Sequence, residues 1–372
     1  PVEQLMRKRL MNGASLMKYL REGSPELQQL RWLASEFESL SGLAINPQEI
    51  LTQRVRHTGW KAGPSQSVGG SCHFMMTSDD EWVAINLARP EDHELVGIFF
   101  SLEVGSNEKL DISNLRNDVQ SCTSANLIEY AIDVGLPISR LNEVPNEYLS
   151  HELPVRVQEV SQGLTAPKLK QLKVVDLSSL WAGPLCSHLL QQAGFAVTKV
   201  ESTHRPDGAR FGHPHFFAEL DEGKSHVEID FRSLLGISEL RALIETADVV
   251  IEGSRPRALQ QLGIEVDEIM GNAQPQVWLS ITGYGRIGLA GQRVGFGDDC
   301  AAAGGLVDFM PDGPQFLGDA VADPISGLVA ATAILRAITE QKSCLIGVSL
   351  AESAAWLNSV RENHESRRDS NS

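Results

Sequence analysis

LKVVDLSSLWAGPLCSHLLQQAGFAVTKV, residues 172–200, decides the fold. It opens on LKVVDL (172–177), a short apolar run of the kind that fills a strand buried on both faces. Gly183-Pro184 then starts a helix that runs through Ala193, and Ala196–Val200 returns as a second strand. The same rhythm continues downstream. His226–Phe231 predicts a third strand, Ser238–Thr246 a helix, Asp248–Ile251 a fourth strand, Arg257–Leu262 a short helix and Gln276–Ile281 a fifth strand. Strands alternating with helices predict an α/β fold on a doubly wound parallel sheet, Rossmann-like in its grammar. Ligands of such sheets lie at the carboxyl ends of the strands. The loops expected there are polar: SSLWAGP (178–184), ESTHRPDGAR (201–210), EGSRPR (252–257) and ITGYGR (281–286). None holds G-x-G-x-x-G and the first carries one glycine, which argues against a nicotinamide or flavin cofactor.

Upstream the pattern differs. Pro25–Leu43 sets Leu27, Leu30, Leu33, Ala34, Phe37 and Leu40 on one side of a helix. HTGWKAGPSQSVGG (57–70) has loop composition. Ser71–Met76 and Trp82–Leu87, separated by TSDDE, predict a hairpin, and Glu91–Phe100 and Ser124–Val134 predict helices. Pro145, Pro154 and Pro167 punctuate an extended connection, so a boundary is expected between Val155 and Leu172. The division is then a helical N-terminal segment (1–60), a smaller α+β domain (61–155), the sheet domain (156–358) and a polar, disordered tail (359–372).

Composition excludes several classes. The 372 residues are 42% hydrophobic and 22% charged, with a formal net charge of −16. That charge disfavours nucleic acid, because phosphate binding needs a basic face. No apolar run approaches the ~20 residues of a membrane span, and no leader resembles a signal peptide, so no membrane partner is expected. The five cysteines are scattered without a CxxC pair. They predict neither a disulfide framework nor a metal site, and suit a reducing, cytoplasmic compartment.

GDAVADPISGLVAATAILRAI (318–338) places Asp323 directly before Pro324 and a helical apolar run. Two readings are open from these residues alone. Aspartate is a preferred N-cap and proline suits a first turn. The same position, where backbone N–H groups converge, favours an ionised carboxylate that could act as a nucleophile. Asp319 is the rival carboxylate, expected as a solvated loop residue.

Taken in order, these pieces resemble the family III CoA-transferases, the superfamily of formyl-CoA transferase and α-methylacyl-CoA racemase. The resemblance lies in VVDLSSLWAGPLCSHLLQQAGFAVTKVE (174–201), GKSHVEIDFR (223–232), ADVVIEGSRPRALQQLGI (247–264), VWLSITGYGRIG (277–288), GFGDDCAAAGGL (295–306) and ADPISG (322–327). It implies that Asp323 is the nucleophile of CoA transfer, through an aspartyl anhydride and an aspartyl-CoA thioester. It also implies coenzyme A thioester as substrate rather than a permanently bound cofactor, a carboxylic acid as acceptor, and a homodimer. By position, CoA contacts would come from Leu180, Trp181, Ile229, Arg232 and Ala258, with Arg205, Arg255 and Arg257 close by. The racemase branch has a histidine where this chain has Phe296, so racemisation is disfavoured; an acyl-CoA isomerase or hydratase, or a non-catalytic CoA-binding subunit, are the alternatives. VGGSCHFMMTSDDEWVAINLARPEDHELV (68–96) and EYAIDVGLPISRLNEVP (129–145) resemble the small domain of the family, here ahead of the sheet domain instead of after it. Gly69 and Gly70 would then match the glycine loop that covers the active site. His188 and His226 are expected to be structural.

Overall fold

The computed structural model describes residues 16, 20–59, 63, 65–102, 110–162, 172–255, 257–271 and 275–369. Helix Pro25–Ser41 forms as its ends dictate: Ser24 Oγ accepts from Leu27 N at 3.3 Å, Pro25 occupies the first turn, and Gly42 closes the helix at φ 75°. Two short helices follow, Pro47–Leu51 and Gln53–Thr58.

The predicted hairpin is present as β1 (Cys72–Met76) and β2 (Trp82–Asn86), and β3 (Ile138–Arg140) extends it to a three-stranded antiparallel sheet. Met75, Val83, Ile85 and Ile138 on one face bury against helices Pro90–Phe99, Ile112–Val119 and Ser124–Val134. Cys72, Phe74 and Ala84 on the other face meet Ala302, Val307 and Phe316, with Phe74 stacked on Phe316 at 4.1 Å.

The large sheet has seven strands: β4 (Val155–Gln162), β5 (Lys173–Asp176), β6 (Ala196–Ser202), β7 (Ser225–Ile229), β8 (Val249–Glu252), β9 (Val277–Thr282) and, after the small hairpin β10 (Val307–Met310) and β11 (Gly313–Phe316), β12 (Lys342–Ser349). Their spatial order is β4-β12-β9-β8-β5-β6-β7, all parallel except β4, which runs antiparallel to β12. The chain winds outward from β5 in both directions, so the topological switch lies between β5 and β8. Alternation along the strands serves two cores. Val174, Ile251, Leu279 and Ile346 face one, and Val175, Val250, Trp278 and Leu345 face the other. The α/β class and the doubly wound sheet expected from the alternation are therefore what the chain forms.

Three expectations need correction. The proline-punctuated connection is partly sheet: Val155–Gln162 is the edge strand β4. Its polar alternation VRVQEVSQ fits an edge strand with an open face, and an antiparallel edge leaves no βαβ signature; residues 163–171 lie outside the description. Of the tail expected to be disordered over residues 359–372, the part up to Asp369 continues the helix Leu350–Asp369, with no glycine or proline after Gly347 to interrupt it, and residues 370–372 lie outside the described residues. Finally, one helix, Ala322–Thr339, is long and apolar enough to cross a membrane, but 83% of it is buried as the central helix of the larger core. The N-terminal helices belong to that same core, with Leu30, Leu33 and Phe37 packed beside Leu328, Ile334 and Trp356.

Candidate active site

The loops after β5 and β8 meet at the switch point. Ser178 fills the space at Gly183, where a Cβ would overlap its side chain, and lies in ordinary contact distance of Gly253. A buried ionic network fixes this end of the sheet. Asp176 accepts from Ser178 and Ser187 and faces Lys224 at 3.4 Å, while Lys199 Nζ reaches Asp207 Oδ2 at 2.9 Å. Asp207 in turn accepts from the Leu180 N–H at 3.0 Å and holds Leu180 in the left-handed region at φ 73°. Burial alone would discharge Lys199; Asp176 and Asp207 outweigh it and hold the ammonium above its usual range.

Helix Ala322–Thr339 begins beside this switch. Gly327 brings it against the first turn of helix Ala182–Gln192: a Cβ there would stand 2.7 Å from the Ala182 carbonyl oxygen. The D-x-x-x-G spacing thus puts Asp323 one helical turn away from that contact. Asp323 is not the N-cap. It sits inside the first turn, behind Val321, and no side chain caps the helix. Its half-buried carboxylate lies against Gly297, the first residue of helix Gly297–Ala303, where a Cβ would overlap Asp323 Oδ2 and stand 2.6 Å from the Ala320 carbonyl oxygen. Ala320, at φ 44°, is a left-handed non-glycine residue, strain of about 1 kcal/mol that concentrates at functional sites.

Asp323 has company that the sequence did not announce. Asp298 Oδ1 accepts from Ala320 N at 2.9 Å, Asp299 accepts from Asn86 Nδ2 at 2.9 Å and Phe296 N at 3.0 Å, and both are buried. Asp319, expected as a solvated loop residue, is fully buried. Arg54 grips it with Nε to Oδ2 at 2.8 Å and Nη2 to Oδ1 at 2.5 Å. The helix terminus, expected to favour an ionised Asp323, is opposed by burial. Burial pushes its carboxyl up to about 7; Arg54 pulls it down, and Asp298, Asp299 and Asp319 push it further up. Burial also lifts Asp298 to about 7 and Asp299 to about 6.

The other predicted residues are spread over the carboxyl ends of the strands. Leu180 is at the surface, 41% exposed. The Trp181 side chain is buried, edge-on to Phe216 at 5.1 Å with the Arg54 guanidinium 4.7 Å from its ring centre. Ile229 is buried, and its carbonyl accepts from Thr203 N at 3.1 Å, so neither it nor Trp181 offers an exposed side chain to a ligand. Arg205, Arg232 and Arg257 are exposed, and Arg255 and Ala258 half-buried. Burial lowers the Arg255 guanidinium, helped by Arg257, Arg89 and Arg205, which marks a basic cluster at this end of the sheet. Gly69 and Gly70 form a turn into β1, with Gly70 at φ 79°. Ser67, three residues before Gly70, hydrogen-bonds Asp298, which ties the glycine turn to the carboxylate cluster. His188 is buried against Gln192, and His226 pairs with Asp221 at 2.6 Å. Phe296 lies beneath the Arg89 guanidinium at 5.7 Å. Among the described residues no group of His, Cys, Asp and Glu side chains could hold a metal ion.

Asp298, Asp299 and Arg54 were missed. The first two carried a signal, paired carboxylates directly before the apolar CAAAGGL; Arg54 carried none, because its partner is 265 residues away.

A family model described as CoA-transferase family III matches residues 169–368. Among curated proteins the chain is similar to an acyl-CoA transferase of Fusarium pseudograminearum, 30% identical over 210 residues that cover 51% of this chain and 45% of that protein. It is also similar to a succinate–glutarate CoA-transferase of Agrobacterium fabrum, 29% identical over 188 residues, 46% of this chain and 47% of the other. A crystal structure of a hypothetical protein from Mycobacterium tuberculosis is 28% identical, with a TM-score of 0.49 over 53% of this chain and 59% of its own. The chain spans about half the length of the curated relatives it matches.

Proposed function

The chain belongs to CoA-transferase family III, and from that premise we propose that it moves coenzyme A from an acyl-CoA to a free carboxylic acid with Asp323 as nucleophile. The observation that carries this is the placement of Asp323: a half-buried carboxylate with no capping duty, held against Gly297 in the first turn of its helix. A carboxyl poised near neutrality is ionised in an appreciable fraction, yet more basic than an ordinary aspartate, which suits attack on a thioester carbonyl.

In the first step an Asp323 oxygen bonds to the thioester carbonyl carbon, the C–S bond breaks, and CoA leaves as the thiolate. The thiolate then attacks the Asp323 carbonyl of the mixed anhydride and releases the acyl group as its carboxylate, leaving an aspartyl-CoA thioester. An acceptor carboxylate reverses both steps and departs with CoA. The CoA phosphates would lie along the basic cluster of Arg205, Arg255 and Arg257, with Leu180 at the edge of the crevice and the Gly69–Gly70 turn over the carboxylate. Because relatives are named for succinate and glutarate, short dicarboxylates are the first acceptors to try.

An acyl-CoA racemase is disfavoured by Phe296, which carries no proton-shuttling group and packs under Arg89. The test is exchange of CoA between an acyl-CoA and a second, isotopically labelled acid. Labelled thioester formed by the wild type and not by Asp323→Ala is expected. Deuterium entering the α-carbon without a second acid would favour isomerisation instead, and tight CoA binding with no turnover a non-catalytic subunit.

A further inference from the structure

Arg54 lies outside residues 169–368, the stretch that the family model matches, yet its guanidinium stands among the carboxylates around Asp323. Helix Gln53–Thr58 is pinned on both sides of it. Gln53 Nε2 donates to Glu219 Oε1 at 2.7 Å, and the His57 ring pairs with the other Glu219 oxygen. Between these anchors Arg54 points inward, closes a two-pronged grip on Asp319, and lies over the Trp181 ring at 4.7 Å. The two side chains are 18% and 0% exposed, so water screens this pair far less than a surface pair. A planar fork on a carboxylate, backed by an aromatic face, fixes direction as well as charge, and lysine could not reproduce it.

Among the described residues, the charged groups that act most strongly on Asp323 come from three elements, and the Cys300 thiol of helix Gly297–Ala303 also faces it. Helix Gln53–Thr58 supplies Arg54, helix Gly297–Ala303 supplies Asp298 and Asp299, and the loop ahead of Asp323 itself supplies Asp319. Of those acting most strongly among the described residues, Arg54 is the cation and the other three are carboxylates. Arg54 in turn faces Asp319, Asp298 and Asp323, with His213 nearby.

We propose that Arg54 is a positioning residue for Asp323: the N-terminal segment carries it into the site, where, backed by the Trp181 ring, it locks Asp319 in place and gives the nucleophile its counter-charge. This rests on Asp323 being the nucleophile. The helices ahead of the sheet then finish the site rather than merely cover it, since three neighbouring carboxylates would otherwise oppose ionisation of Asp323 unanswered.

The test is a carbon-13 NMR titration of protein labelled at the aspartate carboxyl, with the Asp323 signal assigned by its loss in Asp323→Asn. Arg54→Gln is expected to move the Asp323 midpoint up by about one pH unit, and Asp319→Asn, which frees Arg54 to face Asp323, to move it down. The acid limb of the kcat profile for CoA exchange should follow in the same two directions. Unmoved midpoints, or shifts of the same sign in both variants, overturn the proposal, and so does lost activity without a shift. Should Arg54→Gln not fold, Arg54→Lys keeps the charge but loses the fork. It is expected to lower kcat with the midpoint nearly unchanged, and a full upward shift or an unaltered kcat there also overturns it. Opposite NMR shifts in a protein that exchanges no CoA would leave Arg54 in this electrostatic role and refute the transferase reading instead.

Discussion

Gly297 stands where any side chain would strike the Asp323 carboxylate. Helix Gly297–Ala303 and helix Ala322–Thr339 touch at this point, so the site depends on an atom that is absent. The backbone there is not left-handed, and the demand for glycine is one of space. Gly297→Ala is expected to displace Asp323 or the Ala320 carbonyl and cost about 1–3 kcal/mol of stability. CoA exchange should fall at least about tenfold, since misplacement of an attacking group by an ångström is heavily penalised. Denaturant unfolding and exchange kinetics check both; wild-type activity in the folded variant would contradict the placement.

The raised carboxyls make a statement about stability. Burial lifts Asp298 and Asp323 to about 7 and Asp299 to about 6, whereas an unfolded chain returns each to roughly 3.9. Between these values the native protein holds more protons than the unfolded one. Their contribution is therefore complete below about pH 4 and is lost as pH rises through 6 to 7. Asp298→Asn, which keeps an acceptor for Ala320 N–H, should raise Tm more at pH 8 than at pH 5. Calorimetry at the two pH values decides it, and an equal or reversed difference would count against the buried cluster.

Lys199 tests the network behind the crevice. Lys199→Met leaves Asp207 and Asp176 short of a buried counter-charge, a loss of roughly 3–5 kcal/mol. Because Asp207 also holds the Leu180 N–H, the loop after β5 should loosen and KM for the acyl-CoA rise more than kcat falls. A stable variant with unchanged KM would show that the network does not shape this loop.

How far these features could be read in advance follows the range of the contacts. Lys173–Asp176, Ala196–Ser202 and Val249–Glu252 are buried parallel strands whose apolar runs and flanking helices announce them locally. β4 hid because an antiparallel edge strand with Arg156, Gln158 and Glu159 looks like a linker. Asp323 was visible through Pro324, Gly327 and the family pattern. Its ionisation was not, because the helix terminus is a local effect while Arg54, Asp298 and Asp319 meet it only in the folded chain. Trp181 and Ile229 sit in the expected loops and strands, but sequence position could not say that their side chains turn inward.

The central claim is that Asp323 forms a covalent bond with the substrate, and mass spectrometry tests it most directly. The protein is incubated with a mixed acyl-CoA pool, quenched with hydroxylamine, digested and sequenced. Conversion of Asp323 to its hydroxamate, dependent on acyl-CoA and absent in Asp323→Asn, is the predicted result. An unmodified Asp323 in an enzyme that exchanges CoA, or the mark on another carboxylate such as Asp298 or Asp319, would contradict it.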